Sequence, residues 1–223
     1  MKDVVLFNFL GDLTDFSIIL PFLICAYRFR NINQTFEGPL LLILIIILFV
    51  KSICVYVTST FFIKNIYLYN WFGLIQALWI FGIYYFAYKN YKLKKSIIVL
   101  SILTIMLSFL ESEHFFDTKT IMLHRVSQTV CGVFTIIIVL VYFYELIQTL
   151  QSEDLLKNSM FWFSAGVLIY SASTIFSYIY TEITFNSANF NVRRSYWTIE
   201  FTFRIIFNCS LALSVWFLKP QKS

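Results

Sequence analysis

Glu200, Arg204 and Asn208 follow one another at i, i+4 steps. On a helix that spacing places them on one stripe, a turn apart. The surrounding run, Tyr196 to Leu218, is otherwise apolar and long enough to cross a bilayer. Charge inside such a span costs roughly 2.5–3.5 kcal/mol per residue on insertion scales, so it faces protein or water rather than lipid. Glu200 precedes Arg204, which is the favourable order for an ion pair. Two kinds of chemistry fit this stripe. It is either a self-paired group that locks the helix into a bundle, or a binding or coupling site.

Other charges lie in apolar surroundings. Asp12 and Asp15 form an i, i+3 pair in the first apolar run. Lys51 lies near the centre of the second, too deep to snorkel, so it requires a partner or a water-filled cavity. With Glu200, Arg204 and Asn208 these residues make up a candidate intramembrane charge cluster. The two aspartates have the chemistry of a general acid–base pair, but no nucleophile or metal set accompanies them. They read better as counter-charges for Lys51 or Arg204. A separate group, Lys89, Lys92, Lys94 and Lys95, is interleaved with Tyr88 and Tyr91. Such a segment acts as an interfacial anchor and orientation signal, or as a contact for anionic lipid, RNA or an acidic cytosolic partner. It is too short to constitute a nucleic-acid site.

The motifs of common catalysis are missing. There is no H-E-x-x-H, no G-x-S-x-G and no Gly-rich phosphate loop. Neither histidine, His114 or His124, follows an arginine at the Arg–x–x–x–x–His spacing of HEPN-class ribonucleases, and the last span has no lysine before Lys219 to hold retinal. Cys25, Cys54, Cys131 and Cys209 each fall in an apolar run without a C-x-x-C pair, as small buried hydrophobes do. The expectation is therefore a protein that is not an enzyme and has no metal site and no cofactor.

The elements that hold these residues follow from composition. Of 223 residues, 59% are hydrophobic, 20% aromatic and 13% charged, the last about half the soluble norm of roughly 25%. The formal charge of +5 comes from short basic clusters between apolar runs, which in a membrane protein report orientation first. The expected fold is all-α: a polytopic membrane protein of about seven transmembrane helices, a single bundle over residues 1–223 with no soluble domain. The runs predict helices over about Val5–Tyr27 (kinked at Pro21), Pro39–Ile63, Tyr69–Tyr88, Ser96–Leu110, Ile121–Leu146, Met160–Tyr180 and Tyr196–Leu218. Tyr67, Tyr69 and Trp71 look like an interfacial belt. The small residues between Ser164 and Ser177 suit close helix–helix approach. Glu111, Glu113 and Asp117 are assigned to an acidic loop, and Arg193 and Arg194 to an Asn-rich one.

Lysine and arginine bias favours the N-terminus outside and the C-terminus inside, most clearly through Lys89–Lys95 and against Arg193 and Arg194. The first run then serves as a signal anchor rather than a cleaved leader. At about 1.5 Å per residue, Asp12 and Asp15 lie roughly 10–15 Å below the outer boundary and Arg204 about 12 Å below it. An outward-opening pocket and a closed ion-pair cluster both produce that distribution.

Two stretches carry a resemblance. Leu155–Tyr180, LLKNSMFWFSAGVLIYSASTIFSYIY, and the run from Trp197 to Asn208 resemble the end of a small seven-helix bacterial membrane family. Members stand alone or precede histidine kinases. The shared pattern is Phe161–Trp162, a small-residue helix with Ile169–Tyr170, and a last helix with Trp197 and Asn208. It implies a sensor or signalling component. Overall size and Ile/Phe/Lys/Asn-rich character are also similar to the membrane-spanning accessory proteins encoded beside type VI-B CRISPR nucleases. That likeness implies a non-enzymatic regulator of a cytosolic RNA-guided nuclease in antiviral defence, in the bacterial inner membrane, with the lipid bilayer and the nuclease as partners. The nuclease-accessory reading leads and a stand-alone sensor is second; a small-solute transporter or channel is the third alternative, although the first and last three spans show no convincing repeat.

Overall fold

The computed structural model describes residues 2–32, 35–61, 66–111, 125–149, 155–186 and 190–219. Among them every long element is helical: α1 (Lys2–Ser17), α2 (Ile19–Tyr27), α3 (Phe29–Ile32), α4 (Glu37–Thr60), α5 (Ile66–Ala87), α6 (Tyr91–Leu110), α7 (Arg125–Thr149), α8 (Ser159–Asn186) and α9 (Phe190–Trp216). The first two together form one span. With the four-residue α3 set aside, seven helical units result among the described residues, and six of them are long and apolar enough to cross a membrane. The chain is thus an all-α protein with the elements of a multi-pass membrane protein.

The seventh unit, α5, carries many Tyr and Trp residues together with Asn70 and Gln76. It packs on α4, α6 and α7, and Ile80, Phe81, Ile83 and Tyr84 are buried. A helix facing protein rather than lipid tolerates such side chains because neighbouring helices satisfy their polar tips. The Tyr84 hydroxyl donates to Ser164 Oγ at 2.9 Å and the Tyr88 hydroxyl to the Ile138 carbonyl at 2.5 Å. Tyr142 and Phe163 pack against the Tyr84 ring.

Pro21 breaks the first span where its ring must clash with the backbone of the preceding turn. The helix is interrupted at Ile18, and Ser17 Oγ turns to the Thr14 carbonyl at 2.7 Å. At the far end of α2 the Arg28 guanidinium donates to the Leu218 carbonyl at 3.2 Å and lies 5.7 Å from the Trp216 ring centre. A cation thus meets the carbonyl end of α9, where the helix dipole favours it.

Two basic segments differ from the sequence expectation. Only Lys89 precedes α6, and Lys92, Lys94 and Lys95 lie inside its first turns. Asn90 caps that helix by accepting from the Lys92 amide at 2.9 Å, which extends it past the expected start at Ser96. Likewise α9 begins at Phe190, so the backbone of Arg193 and Arg194 is helical rather than looped.

Glu111 is no free acidic loop residue. Its carboxylate accepts from the amides of Val126 at 2.9 Å and Ser127 at 2.7 Å. A side chain at the end of α6 therefore caps the start of α7. Lys64, Glu113, His114, Asp117, Lys119 and His124 lie outside the described residues, as do the side chains of Arg125, Arg193 and Arg194.

The most extensive helix contact joins α8 to α9, and glycine makes it possible. A Cβ on Gly166 would stand 2.5 Å from Ser210 Cβ, closer than two carbons can approach.

Candidate functional site

The charged stripe of α9 turns inward. Arg204 Nη2 donates to Glu200 Oε1 at 2.5 Å, and both side chains are 13% exposed. One turn further, Asn208 Nδ2 donates to Ser17 Oγ at 2.6 Å. Thr14 Oγ1 adds contacts to the Leu10 carbonyl at 2.7 Å and the Phe201 carbonyl at 3.3 Å. These bonds fasten α1 to α9 just before the break at Ile18.

The two aspartates of α1 separate. Asp15 is half-buried and interacts through space with Arg204 and Lys51, whereas Asp12 is exposed and its charge acts on Asp15. Of the expected cluster, Asp15, Lys51, Glu200, Arg204 and Asn208 are brought together, and Asp12 stands at the rim.

Lys51 is 7% exposed. Its ammonium lies 5.6 Å from the centre of the Tyr69 ring, and the Arg204 guanidinium lies 5.9 Å from the same ring. An aromatic face attracts cations by about 0.5–2 kcal/mol, more when water is excluded. Among the described residues Lys51 makes no hydrogen bond and no ion pair. Arg204 Nε is likewise buried without a hydrogen-bond partner.

Both cations border internal space. A cavity of about 50 Å³ is bounded by Lys51, Arg204, Glu200, Tyr69 and polar side chains of α5, α7 and α8. A second, of about 20 Å³, lies between Lys51, Arg204, Asn208 and the α1–α2 break at Ile18. One water needs about 10–15 Å³ of such space, so the larger cavity takes a few waters or one small polar ligand.

Sequence reasoning missed much of this wall. Tyr69, assigned to an interfacial belt, is instead the ring beneath both cations. Gln76, Gln128, Thr135, Tyr170 and Thr174 also face the cavity, and Tyr170 is within hydrogen-bonding reach of Gln76 and Arg204. The signal lay in their spacing. Tyr69, Gly73 and Gln76 on α5, Gln128, Cys131 and Thr135 on α7, and Tyr170, Thr174 and Tyr178 on α8 all recur at helical period. Each stripe is weak alone and gains meaning only when three helices turn it to one point.

The lysine group occupies the opposite end of the bundle, beside the C-terminal end of α5. Lys89, Lys92 and Lys95 are exposed, while the Lys94 ammonium lies 5.3 Å from the Tyr85 ring centre. Among the described residues no three of His, Cys, Asp and Glu gather as a metal site.

No protein-family model, no curated protein and no solved structure matches the chain.

Proposed function

We propose that this protein is a non-enzymatic regulator of the bacterial inner membrane that senses a small polar ligand inside its helical bundle. One observation carries the proposal: Lys51, a buried cation without hydrogen bond or ion pair among the described residues, borders a polar cavity shared with Arg204. An ionised group held away from water is costly unless something compensates it. A lysine placed beside a polar cavity supports a binding role over simple bundle locking. The cavity also meets the elements that can respond. The smaller space touches Ile18 at the helix break, and Asn208 ties that break to α9.

Proximity labelling tests this. A biotin ligase fused to the lysine end should label a soluble partner, and Arg204→Ala or Lys51→Met should change that labelling at equal membrane abundance. Solute uptake into proteoliposomes above that of empty vesicles would make the protein a carrier or channel and overturn the regulatory role.

A second reading takes the partner to be a cytosolic RNA-guided nuclease, as the likeness to type VI-B accessory proteins implies. The exposed ammonium groups of Lys89, Lys92 and Lys95 favour it by offering a basic surface to an acidic partner. Matched strains with and without the gene, each carrying such a nuclease, should differ in antiviral interference. Equal interference would remove this second reading and leave the sensor.

A further inference from the structure

The charge inventory of the larger cavity narrows what it holds. Lys51 and Arg204 border it, and among the described residues Glu200 is the single carboxylate on its wall. Asp15 acts on both cations through space but is not part of that wall. Glu200 takes one Arg204 nitrogen, Nη2, and leaves Nε with no acceptor among the described residues. Among the described residues the smaller cavity has both cations and no carboxylate on its wall. Two buried donors of positive charge thus converge on a cavity whose described wall has one carboxylate, with Asp15 as a second counter-charge behind it.

We infer that the cavity bounded by Lys51, Arg204 and Tyr69 binds a small monovalent oxyanion, one oxygen accepting from Arg204 Nε and another from the Lys51 ammonium. The inference rests on the sensory function proposed for the same cavity and names its ligand class. Charge-assisted bonds from guanidinium and ammonium groups are about twice as strong as neutral ones. The remaining wall suits the rest of such a ligand. The amide groups of Gln76 and Gln128 supply neutral donors. A volume of about 50 Å³ fits a planar ion of four heavy atoms, such as a short carboxylate or nitrate. A divalent anion would leave excess negative charge buried, and a cation would meet two like charges, so both are disfavoured.

Thermal unfolding of the full chain in lipid nanodiscs, at constant ionic strength, is the test. Sodium chloride is replaced stepwise by sodium acetate in one arm, nitrate in a second and sulfate in a third. The acetate and nitrate arms separate an organic carboxylate from an inorganic oxyanion. At ten times the dissociation constant the preferred ion should raise Tm by roughly 3–5 °C in a saturable manner, and sulfate should not. Lys51→Met removes a buried charge that lacks a close partner, so it should fold at least as well as the parent. It should weaken the apparent affinity at least tenfold. Arg204→Lys keeps the charge but loses the fixed fork, and should erase the preference for oxyanion over chloride.

A Tm rise of equal size in Lys51→Met would place the ion elsewhere and overturn the inference. So would the absence of any saturable rise with acetate and nitrate. In either case, partner labelling that still responds to Arg204→Ala or Lys51→Met would keep the sensor and discard only its ligand class. Labelling indifferent to both substitutions would remove the sensor as well.

Discussion

Asn208 on α9 donates to Ser17 Oγ at 2.6 Å, across 191 positions of sequence, at the residue that ends α1. The bond ties the helix that presents Arg204 to the one place where the first span is broken. Asn208 is buried, so its amide has little access to a substitute partner. Asn208→Leu should lower stability in detergent by about 0.5–1.5 kcal/mol, the usual net worth of one hydrogen bond, because Ser17 keeps its bond to the Thr14 carbonyl. A double-mutant cycle with Ser17→Ala should return a coupling energy of about 0.5 kcal/mol or more. Strict additivity would mean that the bond contributes nothing.

Arg204 and Glu200 should behave as a pair rather than as two charges. Arg204→Ala strands a carboxylate that is 13% exposed and is expected to cost about 3–5 kcal/mol. Adding Glu200→Gln should recover part of that loss, and adding Asp15→Asn a smaller part, because Asp15 interacts only through space. Melting of the purified single and double variants decides the matter. A single variant as stable as the parent would contradict the ion-pair account.

Two glycines should respond in opposite directions. Gly166→Ala puts a methyl group against Ser210 and must push α8 from α9, costing about 1–3 kcal/mol as overpacking does. Gly82 has nothing within 4 Å of its added Cβ. Gly82→Ala should therefore stabilise α5 by about 0.5–1 kcal/mol through reduced chain entropy. Paired melting curves check both signs at once.

Glu111 should protect the start of α7. Glu111→Ala frees the amides of Val126 and Ser127 and should cost about 0.5–2 kcal/mol, as the loss of a helix cap does. Hydrogen exchange at those two amides should accelerate in the variant. Unchanged protection would show that the cap is dispensable.

The basic start of α6 predicts an orientation that a fusion can check. A reporter fused after Ser223 is expected on the cytosolic side, beside Lys89, Lys92 and Lys95. Periplasmic activity of an alkaline phosphatase fusion would reverse the orientation and exchange the two ends of the bundle.

Membrane class, helix number and the inward stripe of Glu200, Arg204 and Asn208 were determined by sequence alone. Each depends on local regularities: runs of about twenty apolar residues, and charges repeating every 3.6. The position of Pro21 likewise announced the break in the first span. Helix ends were less legible, because caps such as Asn90 and Glu111 act through single hydrogen bonds that composition does not register.

The tertiary structure alone decided which charges meet. Asp12 and Asp15 are three residues apart, yet one is exposed while the other faces Lys51 and Arg204. The rotation of α1 against α9 sets that difference, and packing determines the rotation. Tyr69 is the clearest case. Its position near a helix start suggests a membrane interface, but α5 lies inside the bundle, so the ring turns to two buried cations. A cavity is space left between helices whose separations depend on side chains from all of them. No single helix encodes it.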